Sequence, residues 1–255
     1  MMKPTFKNHE RPLFTVMLQQ KTPEEMIDVM QKSIQLGADA FGIQFESLDE
    51  KYRNPEVYKK LFAAAGGLPT YVTNYRHRSN EGKTDDQLAD ELVELVECGA
   101  TLADIMGDMF CPHPEEMTDN AQAIEKQKAL VEKIHKAGGE VLMSSHVLKY
   151  IPAERVIEIA KAQEERGVDI VKIVTGAEND IQQGENLKIA AMLKNELNIP
   201  YLYLAGGNCR VLRRVGPMLG VCMWLCVYEH HEFSTKMQPT LKKAKAIWEN
   251  FSEDN

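Results

Sequence analysis

No pair of cysteines in this sequence is spaced as a metal or redox motif. The five thiols, Cys98, Cys111, Cys209, Cys222 and Cys226, are scattered, odd in number and free of any Cys-x-x-Cys. That pattern argues against a disulfide framework and a zinc site, and reads as buried thiols behaving as small apolar groups. Long apolar runs are missing too: the longest, Leu219 to Tyr228, is too short to span a bilayer. Met1 to Pro12 is polar, with no apolar stretch leading to a small-residue cleavage site, so no secretory signal is expected. The formal net charge is −8 and the pI about 5.5, which argues against nucleic acid as a partner, since phosphate-backbone binding needs clustered Lys and Arg. Together these absences predict a cytoplasmic protein with no membrane and no nucleic-acid partner.

What is present is an alternation. In 255 residues, 44% hydrophobic and 27% charged, short apolar runs alternate with amphipathic segments from end to end. Eight strands are predicted, at Leu13–Leu18, Ala40–Phe45, Thr70–Asn74, Leu102–Met106, Glu140–Ser144, Asp169–Val174, Tyr201–Leu204 and Gly220–Val227. Between them apolar residues fall at helical spacing, as in Glu24–Leu36, Gln87–Cys98, Asn120–Ala137, Ala153–Arg166, Ile181–Leu197 and Thr240–Phe251. Thr22-Pro23-Glu24-Glu25 has the form of a helix start, and Gly37, Gly99, Gly138 and Gly167 stand where helices end. Alternating strands and helices imply a parallel sheet, and eight units imply closure into an α/β fold, a single (β/α)₈ TIM barrel spanning residues 1–255. A doubly wound open sheet is the alternative, weakened because no Gly-x-Gly-x-x-Gly turn follows the first strand.

In a barrel, chemistry gathers at the C-terminal ends of the strands. Lys172 is the one ammonium in the apolar run Val168 to Val174; desolvation there would free its lone pair for attack on a carbonyl. The bland reading is a lysine paired with a carboxylate in the lumen. His146 ends the preceding strand, beside Lys172, where an imidazole can move protons at neutral pH. Glu81 after the third strand and Asp108 after the fourth are the carboxylates that could orient it. Arg213 and Arg76 could each hold a substrate carboxylate in a fork. Leu204-Ala205-Gly206-Gly207 lies where many barrels bind phosphate, although a tight turn explains two glycines equally well. Neighbouring His230 and His231 point apart, so a metal is not expected.

The order of these residues resembles the type I 3-dehydroquinate dehydratases, Schiff-base lyases of the shikimate pathway. Ser144-Ser145-His146 resembles that family's Ser-x-His, and Val168-Asp169-Ile170-Val171-Lys172-Ile173 its Schiff-base strand. Arg213-Arg214-Val215-Gly216 resembles the segment bearing its carboxylate-binding arginine. Ser234 to Gln238 matches the first and last positions of its Ser-Ala-Pro-Gly-Gln lid. Thr73-Asn74-Tyr75-Arg76, with Glu81-Gly82 downstream, resembles its third-strand signature with one residue inserted. The departure is at the second strand, where Gly42-Ile43-Gln44 stands in place of Glu-x-Arg, a loss of two charges.

The resemblance implies a cofactor-free hydro-lyase, acting as a homodimer on 3-dehydroquinate or a related keto acid. It assigns catalysis to Lys172, His146 and Glu81, and substrate binding to Arg213, Ser234, Gln238, Arg76 and Gln44. A class I aldolase using the same lysine and a catalytically silent keto-acid-binding barrel are the alternatives.

Overall fold

A computed structural model describes residues 4–251. Its strands are β1 (Leu13–Leu18), β2 (Ala40–Gln44), β3 (Thr70–Thr73), β4 (Leu102–Met106), β5 (Glu140–His146), β6 (Ile170–Thr175), β7 (Tyr201–Ala205) and β8 (Met223–Cys226). They alternate with α1 (Pro23–Gln35), α2 (Pro55–Ala64), α3 (Asp85–Glu97), α4 (Ala121–Lys136), α5 (Ala153–Glu164), α6 (Asp180–Glu196), α7 (Leu212–Val215) and α8 (Leu241–Phe251). All ladders are parallel, in the order β7-β6-β5-β4-β3-β2-β1-β8. Between β7 and β8 no ladder forms among the described residues; Cys222 N donates to Tyr201 O at 3.0 Å across that gap. The expected (β/α)₈ barrel is therefore present, with one seam.

Local sequence explains the punctuation. Thr22 caps α1 by accepting from Glu25 N, and Pro23 opens the helix where a missing N–H costs nothing. Thr84 and Gln87 form a reciprocal capping box on α3. Gly37 and Gly167 end their helices at φ 75° and 83°, where a side chain would be strained. The helices bury one stripe each against the strands, such as Leu88, Leu92 and Val96 on α3 or Ile189 and Leu193 on α6.

β5 runs on to His146, two residues past its expected end, and the eighth strand differs more. β8 starts at Met223 instead of Gly220, because residues 216–219 form a 3₁₀ turn that Gly220 terminates at φ 108°. The helix after β7 is only four residues long.

Side chains alternate along each strand, so a fixed register fixes what faces the lumen. Ser144 pairs with Lys172 and His146 with Val174 across β5 and β6. The strands thereby place the ammonium one layer below the imidazole, at the C-terminal end of the barrel.

Candidate active site

A cavity of about 640 Å³ opens at this end, lined among others by Tyr71, Tyr75, His146, Lys172, Arg213 and Gln238. Lys172, 5% exposed, is at its base. Its Nζ donates to Tyr75 Oη at 2.7 Å, Tyr71 Oη at 2.9 Å and Asp104 Oδ2 at 3.0 Å, three bonds that match an ammonium's three hydrogens. The lysine is thus desolvated but not isolated, and the lumen carboxylate of the bland reading exists. Asp104 also accepts from Ser144 Oγ at 2.6 Å, Tyr75 Oη at 2.5 Å and Tyr71 Oη. Burial, then the adjoining Asp104 charge, pushes both phenols well above their ordinary value.

His146 stands against Tyr75, the rings edge to face at 5.2 Å between centroids. Both Glu116 oxygens lie 3.0 Å from His146 Nδ1, and His146 N donates to Glu116 Oε2 at 3.1 Å. Among the described residues Nε2 has no bonded partner, so it is the nitrogen free to work.

Glu116 corrects the expectation for Glu81 and Asp108. Glu81 is exposed on its loop, away from the cavity lining. Asp108 is engaged by Arg76 Nη1 at 2.7 Å and by His113 N at 2.8 Å. The loop after β4 doubles back to bring Glu116, at φ 48°, over β5; Ser145 Oγ donates to its carbonyl at 2.8 Å. Gly107 permits this close passage, since a Cβ there would lie 2.6 Å from Glu116 O.

The arginines separate as well. Arg76 lines the cavity, but its fork is filled by Asp85, at 2.7 and 2.8 Å, and by Asp108, which leaves no pair of N–H groups for a ligand. Arg213, 8% exposed, spends only Nε, on Ala205 O at 3.0 Å. Burial pulls its pKa down to about 10, with no carboxylate bonded to it among the described residues, and it stays charged at neutral pH.

Of the lid, Gln238 lines the cavity and its Oε1 is buried without a partner among the described residues. Ser234 is not in the lining; its hydroxyl donates to His231 O and accepts from His231 N, both at 2.9 Å. Thr235 takes its place, with N donating to Gln19 Oε1 at 3.2 Å. Gln19 Nε2 donates in turn to Gln44 Oε1 at 2.8 Å, so Gln44 reaches the cavity as half of an amide pair. The Gly206-Gly207 turn is packed instead of open: Asn208 N donates to Ala177 O at 2.8 Å, and a Cβ on Gly207 would lie 2.4 Å from that oxygen. Among the described residues no group of His, Cys, Asp and Glu could hold a metal.

The type I 3-dehydroquinase family matches over residues 14–253. The chain belongs to that family. Its members are dehydratases, carbon–oxygen hydro-lyases, and the lyase reading holds for this chain. Among solved structures, the type I 3-dehydroquinate dehydratase of Clostridium difficile, with covalently modified comenic acid, is similar at 18% identity. That likeness covers 96% of this chain and 94% of the other, with a TM-score of 0.79. The Geobacillus kaustophilus enzyme is 14% identical over 97% and 95% of the two chains, TM-score 0.80. The Enterococcus faecalis enzyme is 16% identical over 98% and 99%, TM-score 0.76. At these identities the three likenesses establish the fold alone. No curated protein matches the chain.

Proposed function

We propose that this dehydratase forms its Schiff base on Lys172 and eliminates water from a β-hydroxy ketone bearing one carboxylate, 3-dehydroquinate or a close relative. The observation that carries the reading is Arg213, a buried guanidinium with an unfilled fork, in the same cavity as Lys172 and His146. A substrate carboxylate on that fork would place the ketone carbon toward Nζ. The iminium acidifies the neighbouring C–H; His146 Nε2 removes that proton, Glu116 holding the ring and balancing the charge it gains. The β-hydroxyl leaves, taking a proton back from the imidazolium, and water releases the product from Lys172. Gln238 would donate to or accept from the ring substituents under the closed lid.

The replaced second-strand pair bears on the substrate. Gly42 has no side chain because Met17 fills its place: a Cβ would lie 2.2 Å from Met17 Sδ. Apolar sulfur and the neutral Gln19–Gln44 pair therefore face the substrate here, which supports a ligand with fewer ionic demands at that end. The closed Gly206-Gly207 turn weighs against a phosphorylated aldolase substrate. A shikimate-pathway role, a homodimer and a cytoplasmic location belong to the same proposal, supported by the family; no helix among the described residues is long and apolar enough to cross a membrane.

The test is intact-mass spectrometry after borohydride reduction with 3-dehydroquinate and a panel of related keto acids. An adduct in the wild type that is lost in Lys172→Ala is expected; no adduct with any of them sinks the reading in favour of a silent binder.

A further inference from the structure

The carboxylate that holds His146 is carried on strained backbone. Glu116, at φ 48°, is in the left-handed region that a residue with a side chain keeps only where its surroundings over-determine it. It belongs to the loop of residues 107–120, between β4 and α4. Buried side chains on the outer side of the barrel fix that loop at two places. The first is at its feet. Arg166, 5% exposed, donates from Nη1 to Gly107 O at 2.8 Å and to Gln127 Oε1, and from Nη2 to Thr118 O. Gln127 Nε2 donates to Gly107 O at 3.1 Å and to Met109 O at 2.8 Å. The two ends of the loop are thereby closed on each other, with Thr118 N donating to Gly107 O at 3.1 Å.

The second place is Glu116 itself. Ser144 and His146 face the lumen from β5, so Ser145 between them faces the helices, where it is fully buried. Its Oγ donates to Glu116 O at 2.8 Å and accepts from Gln163 Nε2 at 3.0 Å. Gln163, on α5 and also fully buried, takes the main chain of Lys172 with both ends of its amide. Nε2 donates to Lys172 O at 3.2 Å, and Oε1 accepts from Lys172 N at 3.1 Å. We propose that Ser145 and Gln163 are positioning residues of the dehydration. Gln163 sets Ser145 against the Lys172 strand, and Ser145 sets the Glu116 peptide, whose carboxylate aims His146 Nε2 at substrate bound to the lysine. This rests on the reading of Lys172 as the Schiff-base lysine and His146 as the proton-transfer base.

The chain of contacts is short. A hydroxyl has one hydrogen, and that of Ser145 goes to Glu116 O. Glu116 N donates to His113 O at 2.8 Å, within the loop. The Ser145 bond ties the Glu116 main chain to β5, and the bond from His146 N ties its carboxylate there. A carboxylate only accepts, so His146 Nδ1 carries the hydrogen that faces Glu116. Neither Ser145 nor Gln163 lines the cavity, so each acts through another residue. Loss of the Ser145 hydroxyl should let the Glu116 backbone relax and loosen its hold on Nδ1, while every group that meets substrate stays in the chain.

Ser145→Ala in the full chain is the test. With 3-dehydroquinate, kcat should fall about 10-fold at unchanged KM, short of the about 10²-fold that a base misplaced by about 1 Å can cost. In the resting protein the Nδ1–H proton of His146, held downfield in the wild type by the Glu116 carboxylate, should move upfield and broaden. Ser145→Thr, which restores the hydroxyl, should return both the resonance and kcat. In a Glu116→Gln chain, Ser145→Ala should lower kcat almost no further, because its effect runs through the carboxylate already lost. If the alanine variant does not fold, Ser145→Cys takes its place, since a thiol fills similar space and donates weakly. An unmoved Nδ1–H resonance, a rise in KM at wild-type kcat, or full additivity with Glu116→Gln overturns the proposal. A wild type that forms no borohydride adduct with any keto acid of the panel overturns the Schiff-base reading instead, and the resonance still decides whether Ser145 sets Glu116.

Discussion

Glu116 holds the Nδ1 side of His146 with both oxygens at 3.0 Å, from a loop that begins one strand earlier. In the proposed mechanism the carboxylate selects the tautomer and would stabilise the imidazolium formed during proton removal. Glu116→Gln should therefore lower kcat by about 10²-fold, within the range for a general acid–base group, with little change in KM. Glu81→Gln, on the exposed loop, should retain wild-type kcat. Steady-state kinetics on the two variants decides between them.

Arg213 is expected to act in the ground state and transition state alike. Arg213→Lys keeps a charge but loses the planar fork, and should cost about 1.5–3 kcal/mol of carboxylate binding, about 10- to 150-fold in kcat/KM, mainly through KM. Arg76→Lys should instead lower the melting temperature, since Asp85 and Asp108 are its partners. Equal KM effects in the two variants would contradict this division.

Glu46 supplies a pH dependence of stability. Its carboxyl is fully buried beneath Thr73; burial pushes its pKa up to about 7, against the opposing hydrogen bonds from Thr73 Oγ1, at 2.9 and 3.0 Å, and the Arg78 charge. In the unfolded chain the group titrates near an ordinary glutamate, so between those values the folded state holds the extra proton. Stability from this group is full at low pH and is lost as pH rises through about 7, by about 3 kcal/mol in total. Glu46→Gln should flatten the fall in melting temperature between about pH 5 and pH 8. A fall as steep as the wild type's would assign the pH dependence to other groups.

Gly42 and Met17 should be coupled. Gly42→Ala puts a methyl 2.2 Å from Met17 Sδ, an overpacking that costs about 1–3 kcal/mol or drives the thioether into the cavity. Stability and KM should both suffer, and Met17→Ala in the same chain should restore part of each. A double-mutant cycle with no interaction energy would show that the two sites are independent.

Fold and site were legible to different depths. The eight strands could be read because each is a short apolar run between punctuated helices, and Lys172 and His146 because a strand's end is where a barrel does chemistry. Asp104 carried the same signal as Lys172, one ionisable group inside an apolar strand, and could have been found by it. Tyr71 and Tyr75 look like ordinary core aromatics until Asp104 is set opposite them. Glu116 was out of reach: its contact with His146 depends on how a long loop folds back past Gly107, which no spacing encodes. Ser234 matched its expected position by type, but the turn around His231 consumed its hydroxyl, a matter of backbone path instead of residue identity.

The ion pair at the base of the cavity has a consequence for the covalent intermediate. An iminium on Lys172 would carry the same single positive charge as the ammonium from which it derives, on a nitrogen that lies 3.0 Å from Asp104 in the resting protein. The dipoles of Tyr71, Tyr75 and Ser144 are already oriented around that carboxylate. If Lys172 forms the Schiff base as proposed, the counter-ion of the intermediate is in place before substrate arrives, and what changes is the number of N–H donors, three on the ammonium and one on the iminium.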